Sequence, residues 1–314
     1  MSNGSRLRGR WVQVAEMHRS SYSFCEVSGL TELPKSLFGY NVLKHIGNGA
    51  GSRIYAVTKP GTGQTFALKH VVRSDEKSIR FVEQIQNEFS VGKNVKSKYL
   101  RASIDLHVHR SLMLRVNEAA LIMEYVDGTP LDVSLPRRVS DILAVFYKTA
   151  KAILALHEAG LVHCDLKPGN ILTSEGGSVK VIDLGQTCPI GTVKARIQGT
   201  PDYIAPEQVK CKSVLPQTDI FNFGASLYWC LTGKKLPTLF TIKKGENSFL
   251  VDTQLPTPAS LNPLVPENLS AFVMECVKSN PLKRPENMGL IMTRLDLIHR
   301  GVLKLEADRR SSVA

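Results

Sequence analysis

Apolar positions recur along this chain with two periods. Downstream of Tyr40, the residues Leu43, Ile46, Ile54, Tyr55 and Val57 flank a glycine cluster, the pattern of a strand, a tight turn and a second strand. Residues 65–72 form a third apolar run after the turn signal Gly61-Thr62-Gly63. The period then lengthens. Phe81, Ile85, Glu88, Gly92 and Val95 are spaced 4, 3, 4 and 3 apart and share one face of a predicted helix. Two further strand-like runs cover 104–116 and 119–126. Next comes a helical stripe of Leu143, Phe146, Ala150, Ile153 and His157, with Ser140 as its expected cap and Gly160 as its stop. Residues 219–231 are apolar nearly all round, which predicts a helix in the middle of a core, ended by Gly233. Residues 235–265, with several prolines, read as an irregular connection, and 1–36 as a polar extension. Strands first and helices afterwards predict an α+β fold of two lobes with a cleft between them.

Composition adds bounds rather than identity. A chain of 314 residues with 43% hydrophobic content has enough apolar material for a real core. Its six cysteines are scattered, with no C-x-x-C pair, and read as reduced thiols of an intracellular, cytoplasmic protein. No run approaches the ~18 apolar residues of a spanning helix. The net charge of +12 reads first as solvated surface and basic ends. No basic motif interleaved with aromatics directs it to nucleic acid, which is not an expected partner.

The chemistry concentrates in His163-Cys164-Asp165-Leu166-Lys167-Pro168-Gly169-Asn170 and in Asp183-Leu184-Gly185. One carboxylate can orient a hydroxyl nucleophile; an amide and a second carboxylate can hold magnesium against triphosphate oxygens. Gly47-Asn48-Gly49-Ala50-Gly51-Ser52 lies between two strands and would let backbone approach phosphates, although alone it is a common turn pattern. Lys69 sits late in an apolar strand, and Glu88 sits on the packing face of the next helix. A carboxylate there needs a counter-charge, and Lys69 is the natural one.

In these motifs the chain resembles eukaryotic-type (Hanks-type) serine/threonine protein kinases, over roughly residues 38–300. Gly47-x-Gly49, Ala67-Leu68-Lys69, His163-Cys164-Asp165-x-Lys167-x-x-Asn170, Asp183-Leu184-Gly185, the 199–207 segment Gly-Thr-Pro-Asp-Tyr-Ile-Ala-Pro-Glu, Asp219-x-x-x-x-Gly224 and Arg284-Pro285 follow the family's order. The resemblance implies a kinase domain over 37–303, with a small β-rich N-lobe at 37–123, a hinge at 124–128 and a larger α-helical C-lobe at 129–303, followed by a basic tail at 304–314. It implies ATP and Mg2+. Ile46, Gly47, Gly49 and Lys69 would hold the nucleotide, with Glu88 pairing Lys69. Met123 would be the gatekeeper, and Glu124 and Val126 would be hinge residues. Ile54, Ala67 and Leu172 would sandwich the adenine. Asp165 would be the catalytic base, assisted by Lys167 and Thr200, and Asn170 and Asp183 would bind the metal. Glu207 and Arg284 would form a buried pair, and Asp219 would brace the catalytic loop. The implied reaction moves the γ-phosphoryl group of ATP to Ser or Thr hydroxyls of proteins. A pseudokinase scaffold is the alternative; a small-molecule phosphotransferase of the same fold is a second, opposed by the 199–207 segment.

Four departures carry further expectations. Cys164 replaces the family's arginine, and Arg196 stands at the usual phosphosite, so activity should not require phosphorylation of the central activation loop. Gly92 stands where the family packs a bulky residue, which predicts a loosely held Glu88 helix, tightened by a regulatory partner or by the N-terminal extension. Gly169, with Lys194, Arg196, Lys210 and Lys212, predicts substrates acidic around the acceptor. Cys164 and Cys188 are read first as inert thiols, with redox sensitivity as the alternative.

Overall fold

The structure, a computed structural model, describes residues 33–49, 51–75, 78–110, 116–238 and 255–312. The predicted extension up to residue 32, the stretch 111–115 of one predicted strand run and most of the predicted connection at 235–265 lie outside these residues. The elements all belong to the unit Lys35–Ala314.

A six-stranded antiparallel sheet comes first, in the order β1-β2-β3-β4-β6-β5. Its strands are β1 (Ser36–Leu37), β2 (Tyr40–Gly49), β3 (Ser52–Thr58), β4 (Thr65–Val72), β5 (Ser103–Arg110) and β6 (Val116–Glu124). Both faces are covered, so alternate residues enter different cores. Phe66 and Leu68 join Tyr55, Val57, Ala120 and Ile122 on one face. Ala67 and Val71 join Leu121 and Met123 on the other, together with Val82 and Ile85 of helix α1 (Ile79–Asn94). Lys69, two positions from each of Ala67 and Val71, therefore shares the face turned to α1.

The helical stripe of α1 falls on Val82, Ile85, Glu88, Val91 and Gly92, and Glu83 is exposed. Gly92 has a packing reason. A Cβ built there would meet the Ser103 hydroxyl and lie 3.1 Å from Ser103 Cβ, so the helix and β5 approach as closely as the missing side chain allows. The Ser103 hydroxyl in turn donates to the Glu88 carbonyl at 3.1 Å. The glycine thus brings α1 close to the sheet, and the looseness expected from helix propensity alone is not its structural meaning.

After β7 (Thr129–Pro130) the chain is mainly helical: α2 (Val139–Glu158), the one-turn α3 (Pro206–Val209), α4 (Pro216–Thr232), the one-turn α5 (Pro258–Leu261), α6 (Glu267–Cys276) and α7 (Met288–Ser311). Short strands β8 (Leu161–Val162), β9 (Ile171–Thr173), β10 (Val179–Val181) and β11 (Cys188–Pro189) pair as β10-β9-β7 and β11-β8. Helix α4 is buried from Thr218 to Leu231, as its all-round apolarity requires, and Phe146 of α2 meets Phe223 edge-on at 5.1 Å. Gly160 and Gly233 end α2 and α4 at φ +74° and +68°. The molecule has the two-lobed α+β fold.

Two expectations fail here. Ser140 does not cap α2: the helix begins at Val139, and the Ser140 amide and hydroxyl bond Glu306 at 3.1 and 2.7 Å. The same contact explains the second. Residues 304–311 are not a separate tail but the last turns of α7, following its buried row Ile291, Leu295, Ile298 and Val302, and Glu306 there is the partner of Ser140.

Candidate active site

Strand β4 delivers Lys69 to a cluster of charges. Its ammonium donates to Glu88 Oε2 at 2.6 Å and to Asp183 Oδ1 at 3.0 Å. The other Glu88 oxygen accepts from Arg101 Nη2 at 3.0 Å. Glu88 and Arg101 are 2% and 7% exposed, so this carboxylate is buried with a cation on each oxygen. Burial pulls the Lys69 pKa down, but Glu88 and Asp183 outweigh it and hold the ammonium well above the usual lysine range. Burial pushes Asp183 up, but Lys69, then Arg101 and Lys167, outweigh it and hold that carboxyl well below the usual carboxylate range.

The loop after β8 carries the second cluster. Asp219, wholly buried on α4, accepts the amides of His163 and Cys164, each at 2.8 Å, and the His157 ring nitrogen at 2.9 Å. This grip holds Cys164 at φ +65°, a conformation a side chain rarely adopts, and turns Asp165 out of the loop. Asp165 Oδ1 accepts the Thr200 hydroxyl proton at 2.8 Å, and Thr200 Oγ1 accepts from Lys167 Nζ, also at 2.8 Å. Lys167 lies 3.4 Å from the other Asp165 oxygen. Asn170 donates its amide to the Asp165 carbonyl at 2.9 Å.

The segment from Asp183 runs beneath α1. Asp183 has φ +64°. Asn87, beside Glu88 on the helix, donates to the carbonyls of Gly185 at 3.2 Å and Thr187 at 2.7 Å. Gln208 ties the Asp165 loop to the segment around Gln198, donating to the Cys164 carbonyl at 2.8 Å and the Gln198 carbonyl at 3.1 Å.

Both clusters open into one cavity of about 850 Å³ between the sheet and the helical part. Ile46, Gly47, Gly49, Ile54, Lys69, Val126, Asp165, Lys167, Asn170, Leu172, Asp183 and Thr200 all line it. Four predicted residues do not. Ala67 and Met123 face each other across β4 and β6 inside the sheet's core, and Glu88 lies behind Lys69. The Glu124 side chain turns away to Lys180 at 2.8 Å. Among the described residues, Asp183 Oδ2 and Asn170 Oδ1 carry no hydrogen bond. Two uncommitted hard oxygens on one wall fit magnesium, which takes few protein ligands and completes its shell elsewhere.

Arg101, Asn87 and Gln208 were not expected from sequence. They lie off any motif, and only the tertiary fold brings them to the site. Nor was Asp132. A Cβ on Gly169 would lie 2.8 Å from Asp132 Oδ2, so a carboxylate fills the space the glycine leaves. The inference of acidic substrates from Gly169 loses its basis there. Glu207 and Arg284 form a two-pronged buried pair at 2.7 and 3.0 Å, and the Thr218 hydroxyl donates to the same carboxylate at 2.9 Å.

A profile of the protein kinase domain matches residues 40–294. A probable serine/threonine-protein kinase of Corynebacterium efficiens is 27% identical over 288 residues, covering 85% of this chain and 42% of that protein. Mitogen-activated protein kinase kinase 1 of Arabidopsis thaliana is 28% identical over 270 residues, 82% of this chain and 73% of that protein. The serine/threonine-protein kinase PknA of Mycobacterium tuberculosis is 28% identical over 261 residues, 80% of this chain and 59% of that protein. The chain therefore spans less than two thirds of the two bacterial relatives. With most of its length matched by the profile, and with Lys69 and the loop carrying Asp165 facing one cleft, this chain belongs to the protein kinase family.

Proposed function

We propose that this protein transfers the γ-phosphoryl group of ATP to serine or threonine hydroxyls of protein substrates. The observation that carries the reading is the meeting of Lys69, Asp165, Lys167, Asn170 and Asp183 on the walls of one cavity. Gly47 and Gly49 present bare backbone to the phosphates, and Lys69 holds phosphate oxygens while Glu88 keeps its ammonium in place. Ile54 and Leu172 offer apolar walls to the adenine, and the 124–128 segment offers its backbone groups. Asn170 and Asp183 would hold Mg2+, which neutralises charge on the phosphates when bound. Asp165 orients the acceptor hydroxyl and takes its proton, and Lys167 beside it balances charge on the transferred group.

Activity independent of loop phosphorylation is supported by contacts already made without phosphate. Lys194 donates to the Gln186 carbonyl at 2.8 Å, and the Val214 amide donates to the Thr192 carbonyl at 2.9 Å. Cys164 offers no cation to a phosphate. Acidic substrates now rest only on Lys194, Arg196, Lys210 and Lys212. The free thiols suit a reducing compartment such as the cytoplasm.

The test is transfer of radiolabelled phosphate from ATP to protein, wild type beside Asp165→Asn. A loss of about 10²-fold or more is expected, the range of a positioned base. Equal background in both proteins would favour a scaffold, and label passing to small molecules would favour a different phosphotransferase.

A further inference from the structure

Cys164 and Cys188 are distant in sequence, yet their sulfurs lie 3.6 Å apart and both are free thiols. Pairing of β8 with β11 sets Cys188 opposite Val162, near the start of the catalytic loop. Cys164 is 1% exposed. Cys188 is half-buried and lines a second cavity of about 250 Å³, together with Thr192, Lys194 and Arg196. One sulfur is thus reachable by a small oxidant, and the other waits behind it.

We propose that Cys164 and Cys188 are a modification site for hydrogen peroxide, closing to a disulfide that ties the Asp165 loop to the segment following Asp183. The two sulfurs have different surroundings. They share one hydrogen bond that either can donate, and despite burial this bond, with the Lys194 charge and the Thr192 hydroxyl, brings Cys188 down to about 7. The same bond, then burial, pushes the Cys164 thiol up. Cys188, which lines the cavity beside Lys194, is therefore the attacking thiolate, and the buried Cys164 is its protonated partner.

The Cys188 thiolate attacks one peroxide oxygen. The O–O bond breaks, and the other oxygen leaves as hydroxide and becomes water on taking a proton. Cys188 is now a sulfenic acid. The Cys164 sulfur then displaces hydroxide from it, and that hydroxide takes the Cys164 proton as the second water. Two thiols and one peroxide give one disulfide and two waters, with two electrons passing from sulfur to peroxide.

The bond requires the sulfurs to close to about 2.05 Å, and the two backbones are clamped. Asp219 and Gln208 hold the Cys164 side at 2.8 Å contacts, and Asn87 holds the Thr187 carbonyl at 2.7 Å on the other. Closure displaces one clamp or the other, moving either Asp165 or the stretch that bears Asp183. The disulfide lowers phosphotransfer, and reduction restores it. The cross-link itself does not depend on the kinase reading; its effect on turnover does.

The experiment treats the full chain with hydrogen peroxide, blocks the remaining thiols and maps peptides by mass spectrometry without reductant. A peptide joining 164 to 188, lighter by two hydrogens and lost on adding dithiothreitol, is expected in the wild type and absent from Cys188→Ser. Over-oxidised Cys188 without the link, or two unmodified thiols, would overturn the proposal. In parallel, wild-type phosphotransfer is expected to fall about tenfold or more and to recover with dithiothreitol, whereas Cys188→Ser keeps its rate under the same peroxide. Equal loss in both would refute the link as the cause. An untreated wild type with no transfer at all would sink the proposed function while leaving the mass readout to judge the disulfide.

Discussion

Arg101 and Glu88 form a buried ion pair at 3.0 Å on the far side of the carboxylate from Lys69. Arg101 precedes β5, and its amide donates to the Val181 carbonyl at 3.0 Å, so α1 is bound through Glu88 to two separate parts of the fold. Replacing Arg101 by methionine leaves Glu88 with a single cation in a dry site. A loss of roughly 1.5–3 kcal/mol in unfolding free energy is expected, the range for one hydrogen bond to a charged group, since Lys69 still compensates the carboxylate. Urea titration of the variant measures it.

Gly92→Ala should destabilise the protein, although alanine is the better helix former by about 1 kcal/mol. The new methyl group meets Ser103, and overpacking typically costs about 1–3 kcal/mol. Adding Ser103→Gly is expected to recover part of the loss in the same urea titration. A single variant as stable as the wild type would contradict the close contact.

The charge cluster sets a pH window. The raised Lys69 contributes stability that is complete below the unfolded lysine value and is lost as pH rises through the folded one. The depressed Asp183 contributes stability present above the unfolded carboxylate value and lost as pH falls through the folded one. Both contributions are therefore in place between about pH 5 and 9. The stability gap between wild type and Lys69→Met is expected to be constant across that range. It should narrow below about pH 4, where the Asp183 carboxyl, which has lost its lysine partner, takes up a proton. Urea titrations at stepped pH measure the gap.

Glu306→Ala removes both bonds to Ser140. A loss of about 1–3 kcal/mol is expected, the range for hydrogen bonds to a charged group. The rate of phosphotransfer should not change, since the contact joins α2 and α7 away from the cavity. Thermal unfolding beside an activity assay separates the two effects.

Thr187 is 3% exposed, and Thr192 donates its hydroxyl to the Pro189 carbonyl at 2.7 Å. Alanine at both positions is expected to leave the rate within about twofold, less than ~0.5 kcal/mol in barrier. A fall to the Asp165→Asn background would show that a phosphate is needed there.

The strands were legible as apolar runs bounded by glycine turns, and Glu88 stood out as a charge on an apolar stripe that called for Lys69. Contacts between distant segments left no local trace. Arg101 reads as one more surface cation, and nothing in the spacing of Cys164 and Cys188 shows their sulfurs to be neighbours. Asp132 reaches the space over Gly169 only through the fold. Ser140 has the chemistry of a cap, but its hydroxyl had a partner in Glu306 that no window around residue 140 contains. Beyond Val302 the turns of α7 are mostly exposed and charged, so no apolar stripe marked them as helix.

The Thr200 hydroxyl rests on Asp165 as a substrate alcohol would. Under the proposed reading, the resting protein carries its own tethered decoy, already supplied with a cation by Lys167. An arriving serine or threonine either displaces that decoy or approaches the second carboxylate oxygen, the one nearer the lysine. The first choice an acceptor faces is thus posed by a residue of the protein itself, before any nucleotide is consumed.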